Sequence, residues 1–109
     1  MKPEALQKAL SVLGLCRKAG KCVLGTEIVC DALRTSKDLC LVVCPEDNSE
    51  NTQKKLRDKC GFYKIELLEL PTGGETLAHA LGRTGHCAAV GVTDRGLSEL
   101  LRKTVEQEA

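Results

Sequence analysis

Two kinds of hydrophobic pattern alternate along the chain. Over residues 3–18, apolar side chains recur every three or four positions, which predicts an amphipathic helix. Residues 39–44 instead form an unbroken apolar run that ends at Pro45, a pattern typical of a strand covered on both faces. The same criteria predict strands over 22–24, 39–44, 65–70 and 88–92. They predict helices over 3–18, from 26 to about 36, near 50–60 and over 96–103, and a short helix that follows Gly73-Gly74 and ends at Gly82.

Helices and strands therefore alternate from one end of the chain to the other. A buried strand needs helices above and below it, so this order predicts an α/β fold. We expect a three-layer α/β/α sandwich around a small, mostly buried mixed sheet. The 109 residues fit one domain spanning 1–109.

Polar residues and glycines predict where several helices begin and end. Thr26 is placed to cap the free amides of the second helix, and residues 47–49 offer caps for the third. Gly61 is a candidate stop for the third helix. We expect the tail after Thr104 to be frayed.

Composition narrows the class of protein. Apolar residues make up 42% of the chain and charged residues 28%, as in ordinary globular proteins. Phe62 and Tyr63 are the only aromatic residues, which excludes RNA recognition by a platform of stacked rings. The seven cysteines are odd in number and lie mostly in apolar runs, so we expect reduced, buried thiols. The runs without a charged residue are too short to span a membrane, and we expect a cytoplasmic protein.

Positive charge is concentrated in the first third of the chain. Residues 1–37 hold seven Lys or Arg against three acids, whereas residues 38–109 hold nine against twelve. Arg17, Lys18 and Lys21 come shortly before the second helix, whose first amides carry a partial positive charge. The sequence thus predicts cations gathered around the amino end of that helix, where a sugar-phosphate backbone can bind; the alternative is an ordinary solvated basic face.

Motifs that would indicate catalysis are incomplete. A phosphate-binding loop needs four residues between its glycines, but five separate Gly14 from Gly20, and Cys22 stands where Ser or Thr would bind magnesium. A thiol phosphatase loop starting at Cys87 has Thr93 in place of its arginine. We therefore expect no enzyme activity and no catalytic residue.

Metal binding is also disfavoured. Cys40 and Cys44 lie on one face of a predicted strand about 13 Å apart, too far to share a zinc ion. We expect no metal site and no cofactor.

Five segments together resemble a known family: residues 13–21, 25–27, 39–44, 49–52 and 92–96. In order and spacing they are similar to the bacterial YlxQ-like branch of the superfamily typified by the ribosomal proteins L7Ae and L30e. The resemblance implies an α/β/α sandwich that binds RNA without catalysis.

The resemblance also implies a site. In members that bind kink-turn RNA, the helix that begins at Gly25 contacts sheared G·A pairs, and the loop matching residues 83–86 covers an extruded base. The candidate RNA-binding residues, combining this implication with the basic segment, are Arg17, Lys18, Lys21, Gly25, Thr26, Glu27, Ile28, Asp31, Arg34, Lys37, Arg83, Thr84 and Gly85.

Three positions of the second helix depart from the kink-turn pattern. Glu27 stands where the family has Asn or Lys, Ile28 where it has Glu or Gln, and Asp31 where it has Lys. Our leading hypothesis is a non-enzymatic protein that binds ribosomal or other structured RNA in or near the ribosome, with ribosomal or translation-related proteins as further partners. The alternative is a protein-interaction module on the same scaffold that has lost affinity for kink-turn RNA.

Overall fold

Nine elements make up residues 1–106, which a computed structural model describes. The helices and strands alternate as the hydrophobic pattern predicts, and most bounds differ from the predicted ones by one to three residues. In chain order the elements are α1 (Pro3–Lys18), β1 (Cys22–Leu24), α2 (Thr26–Thr35), β2 (Leu41–Cys44), α3 (Glu50–Tyr63), β3 (Glu66–Glu69), α4 (Gly74–Ala80), β4 (Val90–Val92) and α5 (Arg95–Glu106).

The four strands form one mixed sheet in the order β1-β4-β2-β3. β2 and β3 run parallel, whereas β4 is antiparallel to both of its neighbours, β1 and β2. Because β1 and β4 run in opposite directions, the segment that precedes β4 lies beside the residues that follow β1. This pairing brings the start of α2 next to the loop before β4.

The sheet is covered on both faces, as the apolar run in β2 predicts. Leu41 and Val43 pack into a core with residues of α1, α4 and α5, whereas Val42 and Cys44 pack into a second core with residues of α2 and α3. All four of these side chains are fully buried. The predicted three-layer α/β/α sandwich around a mixed sheet is therefore confirmed.

The start of α2 differs from its prediction. Thr26 is already the first helical residue, so it is not the cap, and Gly25 occupies the cap position without a capping side chain within the described chain. Gly25 has φ 102° and ψ 146°, a backbone conformation that residues with a Cβ rarely adopt. A glycine at this position lets the chain turn sharply from β1 into α2.

The predicted ends of α3 are right at one end and wrong at the other. Ser49, within the segment 47–49, caps the helix by accepting a hydrogen bond from the Thr52 amide at 3.2 Å. Gly61 does not stop the helix, which continues to Tyr63 and ends where Lys64 adopts a left-handed conformation with φ 58°. A glycine can lie inside a helix at modest cost, so its presence alone does not mark an end.

The last helix is longer than predicted. α5 continues to Glu106, so residues 105 and 106 are helical rather than frayed. The remainder of the predicted frayed tail, residues 107–109, lies outside the described residues. Among residues 1–106, none of the helices is both long and apolar enough to cross a membrane.

The cysteines follow the burial prediction in part. All seven are free thiols, and four of them are buried while Cys22, Cys30 and Cys40 are half-buried. Burial raises the pKa of the Cys16 thiol to about 11 and that of Cys60 to about 11. These two side chains therefore stay protonated at neutral pH and act as small apolar groups in the core.

Candidate nucleic-acid interface

The pairing of β1 with β4 builds a cleft at the amino end of α2. The Gly25 amide donates a hydrogen bond to the Ala89 carbonyl at 2.9 Å, which fixes the start of α2 beside the loop of residues 83–88. Between them lies a cavity of about 210 Å³, which we call the α2 cleft. It is lined by Leu24, Gly25, Thr26, Ala78, Arg83, Thr84, His86, Cys87 and Ala88.

The amino end of α2 lines one side of this cleft through Gly25 and Thr26. The first intrahelical hydrogen bond runs from the Val29 amide to the Gly25 carbonyl at 2.9 Å. The amides of residues 26–28 thus precede it and have no partner within the helix. Together with the helix dipole, such amides favour a negatively charged group such as a phosphate.

Two polar side chains that follow β2 hold the loop of residues 83–88 in place. One carboxylate oxygen of Asp47, Oδ1, accepts from the Gly74 amide at 2.9 Å and lies 3.0 Å from His86 Nε2. Asn48 Nδ2 donates to the Ala88 carbonyl at 2.9 Å. The far wall of the cleft is therefore tied to the sheet by side chains from another loop.

The hydrogen bonds to Asp47 predict a dependence of stability on pH. The Gly74 amide, and then His86, hold the pKa of the Asp47 carboxyl below its usual value of 3.8. Because the pKa of this carboxyl is lower in the folded state, its ionised form stabilises the fold at pH values above the unfolded-state pKa. This contribution is lost as the pH falls through the folded-state pKa. We expect Asp47→Asn to lower the melting temperature at pH 6, and the difference from wild type to shrink between pH 4 and pH 2.5.

Thermal melts of the two proteins across this range measure the effect. Asp58→Asn, on the exposed surface of α3, is the matched control and should give little difference at either pH. A gap between wild type and Asp47→Asn that stays constant down to pH 2.5 would contradict the assigned role of the Asp47 carboxylate.

The acidic residues of α2 are each paired with a cation. Glu27 Oε1 lies 2.8 Å from Lys55 Nζ, and this hydrogen bond lowers the pKa of the Glu27 carboxyl. Asp31 lies 3.6 Å from the guanidinium of Arg34. The two negative charges that depart from the kink-turn pattern are therefore partly neutralised on the surface, at a modest gain in stability.

Sequence reasoning missed Lys55 and the contacts that Asp47, Asn48 and His86 make. Lys55 is 28 positions from Glu27 and reaches it because α2 and α3 pack side by side on one face of the sheet. Asp47, Asn48 and His86 come from two loops that meet only when the sheet has formed. Asp47 and Asn48 come shortly before α3, a position in the sequence that favours a helix cap rather than a contact with another loop.

The structure separates Lys21 from the amino end of α2. The Lys21 carbonyl accepts from the Thr93 amide at 2.9 Å, so Lys21 lies where β1 begins, whereas Gly25 lies where β1 ends. An extended strand places residues four positions apart about 13 Å from each other. The Lys21 amide donates to the Cys16 carbonyl at 2.8 Å, so the last turn of α1, with Arg17 and Lys18, adjoins the start of β1. Lys18 also lines a groove between α1 and α4 with His79.

The predicted cations after α2 also lie away from the cleft. Arg34 is in the last turn of α2, and Lys37 follows it, so a helix of ten residues, about 15 Å long, separates them from Gly25. Lys37 lines a different cavity, of about 310 Å³, together with Arg95 at the start of α5. We call the surface formed by Arg17, Lys18, Lys21, Lys37 and Arg95 the basic end.

The structure thus divides the candidate residues between two places. The α2 cleft brings together Gly25, Thr26, Arg83 and Thr84, with Gly85 in the same loop at φ 87°. Glu27, Ile28 and Asp31 follow on α2, and the side of the helix that they form is exposed, with Ile28 at 56%. The remaining candidates, apart from Arg34, form part of the basic end.

Comparisons with known proteins agree with this architecture. Two curated proteins, each named RNA-binding protein YlxQ, are similar to the chain. The one from Enterococcus faecium is 31% identical over 92% of this chain and 93% of its own length, and the one from Bacillus subtilis (strain 168) is 34% identical over 83% and 87%.

Solved structures show the same fold. A protein with unknown function from Bacillus halodurans C is 33% identical and superimposes with a TM-score of 0.83 over 91% of this chain and 97% of that one. The Giardia lamblia 15.5kD RNA binding protein gives a TM-score of 0.77 over 98% and 89% at 11% identity, a likeness of fold alone. The model of the ribosomal protein L7Ae/L30e/S12e/Gadd45 family matches residues 7–102. The chain therefore belongs to the ribosomal protein L7Ae/L30e/S12e/Gadd45 family.

Proposed function

We propose that this protein binds structured RNA of the kink-turn type through the α2 cleft, in the cytoplasm and in or near the ribosome, without catalysing a reaction. The observation that carries the proposal is the α2 cleft itself, in which the open amino end of α2 faces a loop anchored on its far side. The curated relatives are named RNA-binding proteins, which supports the same class of ligand for this chain.

The residues of the cleft have separate roles in this proposal. The free amides of residues 26–28 contact the RNA backbone, and Arg83 adds the positive charge on the opposite wall. Among residues 1–106, Arg83 lies within 4.0 Å of no carboxylate, so its guanidinium is available for a phosphate. The loop of residues 83–88 then covers the RNA that enters the cleft.

A fluorescence anisotropy titration with a labelled kink-turn RNA tests the proposal. We expect the wild-type protein to bind this RNA more tightly than a control RNA in which Watson–Crick pairs replace the sheared G·A pairs. Arg83→Glu should weaken binding to the kink-turn RNA about tenfold, because a hydrogen bond to a charged group is worth about 1.5–3 kcal/mol. Lys59→Glu makes the same charge reversal on the exposed surface near the carboxyl end of α3 and should change the affinity less than twofold.

The second candidate function is a protein-interaction module, and Ile28 is the observation that favours it. Its side chain is 56% exposed at the start of a helix, where an apolar side chain suits a protein surface better than a phosphate. If the protein binds the kink-turn RNA and its control equally weakly at low salt, and Arg83→Glu has no effect, the proposed role in kink-turn recognition is wrong and this second candidate is favoured.

A further inference from the structure

We propose that the basic end is a second RNA-binding surface, which contacts the phosphate backbone of a duplex segment independently of the α2 cleft. Its five cations come from all three layers of the sandwich. Arg17 and Lys18 end α1, Lys21 immediately precedes β1, Arg95 begins α5 after β4, and Lys37 follows α2. Because β1 lies between the two surfaces, the basic end and the cleft face different parts of a bound RNA.

Backbone contacts hold these cations together at one end of the sheet. The hydrogen bond from the Thr93 amide to the Lys21 carbonyl places the start of β1 beside the end of β4, two residues before Arg95. Arg95 and Lys37 line the same cavity of about 310 Å³. The Lys21 amide also donates to the Cys16 carbonyl at 2.8 Å, which places the last turn of α1 beside the start of β1.

The charges at the basic end are available for a ligand. All five cationic side chains are exposed, and none of them lies within 4.0 Å of a carboxylate of residues 1–106. The acids at this end are largely engaged, since Glu66 and Glu99 both bind Arg102 and Asp94 Oδ2 accepts from the Leu97 amide at 2.8 Å. Asp38, which follows Lys37, is an exposed acid near this surface.

The α2 cleft has fewer positively charged side chains than the basic end. Arg83 is its one unpaired cation among the described lining residues, and acids such as Asp47 and Glu46 lie nearby in the loop after β2. Polyanions are attracted by clusters of unpaired cations whatever their sequence, and the affinity falls as salt displaces the contacts. The general affinity for RNA backbone therefore resides at the basic end, and the cleft contributes shape and selectivity.

The test uses a blunt RNA duplex of 20 base pairs that contains no internal loop, titrated with the full chain between 25 and 200 mM KCl. We expect wild-type binding with a slope of log affinity against log salt near −3 to −4, corresponding to about four neutralised phosphates. Lys18→Glu with Lys21→Glu should weaken binding at least tenfold at 50 mM KCl and flatten the slope by about two, and the paired Gln substitutions should give an intermediate loss.

One double variant serves as the control and should change duplex binding less than twofold. Lys2→Glu with Lys8→Glu makes the same change in net charge at the other end of α1, at least ten residues or about 15 Å from Lys18. Thermal melts establish that the variants fold, as expected for substitutions of exposed side chains.

A bridging assay completes the experiment. Protein bound to an immobilised kink-turn RNA should capture the labelled duplex, and the Lys18→Glu, Lys21→Glu variant should not. Equal losses from the double variant and from its Lys2, Lys8 control would overturn the proposal, as would undetectable duplex binding at 25 mM KCl. Kink-turn selectivity that is absent while duplex binding persists contradicts the proposed role of the cleft and leaves the basic end supported.

Discussion

Leu41→Ala should destabilise the protein by about 2–5 kcal/mol, the usual cost of truncating a fully buried leucine. Leu41 begins the central strand β2, is 0% exposed and packs into the core shared with α1, α4 and α5. The loss combines the transfer free energy of the missing carbons with the cavity that they leave. Since small domains are stable by only about 5–15 kcal/mol, this one substitution removes a large part of the margin.

Urea unfolding followed by circular dichroism measures this effect as a lower midpoint at an unchanged slope. Leu15→Ala is the matched control because Leu15 is 52% exposed on α1 and alanine is the better helix former. We expect the control to change the free energy of unfolding by less than about 0.5 kcal/mol. Similar midpoints for the two variants would contradict the placement of β2 at the centre of the sandwich.

The elements of the fold were predictable because burial and chain pattern are tightly coupled here. The apolar run over residues 39–44 predicts a strand covered on both faces, and the structure buries all four residues of β2. The strand itself is shorter, Leu41–Cys44, because strand bounds depend on which backbone groups find partners. The order of the strands in the sheet did not follow from the pattern, since it depends on contacts between distant segments.

Helix ends were less predictable because several local solutions satisfy the same backbone groups. Ser49 caps α3 with its hydroxyl, as its residue type suggests, whereas α2 begins at Gly25 with no capping side chain within the described chain. At the carboxyl end of α3, Lys64 adopts the left-handed conformation that ends the helix, three residues after the predicted stop at Gly61. The Ile65 amide donates a hydrogen bond to the Cys60 carbonyl at 2.9 Å, and this contact stabilises the end of the helix at that point.

The candidate site was half predictable for a geometric reason. Proximity along the chain linked Lys21 to Gly25, but the intervening strand is extended and separates them by about 13 Å. Arg83 is 58 positions from Gly25 and yet lines the same cleft, because β1 and β4 are antiparallel neighbours. The family resemblance identified this loop, whereas periodicity and composition contained no signal for it.

Gly91 is the middle residue of β4, the strand that lies between β1 and β2 in the sheet. Gly91 pairs with Val23 of β1 and with Val42 of β2, so it lies at the centre of the sheet. A Cβ at this position would lie 2.7 Å from Leu39 Cδ1 and 2.9 Å from Val23 Cγ2. Both distances are shorter than carbon atoms tolerate, so the close approach of these side chains requires glycine.

Gly91→Ala should therefore destabilise the protein by about 1–3 kcal/mol, the usual cost of adding a methyl group to a full core. Gly61→Ala provides a control of the same chemistry with the opposite sign. Gly61 lies inside α3, and, apart from its chain neighbours and the nearby backbone of that helix, no atom of the described residues lies within 4 Å of an added Cβ. Alanine should therefore stabilise the helix by about 0.5–1 kcal/mol. Thermal or urea unfolding of both variants measures the two shifts. A stabilised Gly91→Ala protein would mean that Leu39 and Val23 move aside freely, and the tight packing that joins β1, β4 and β2 would then not hold.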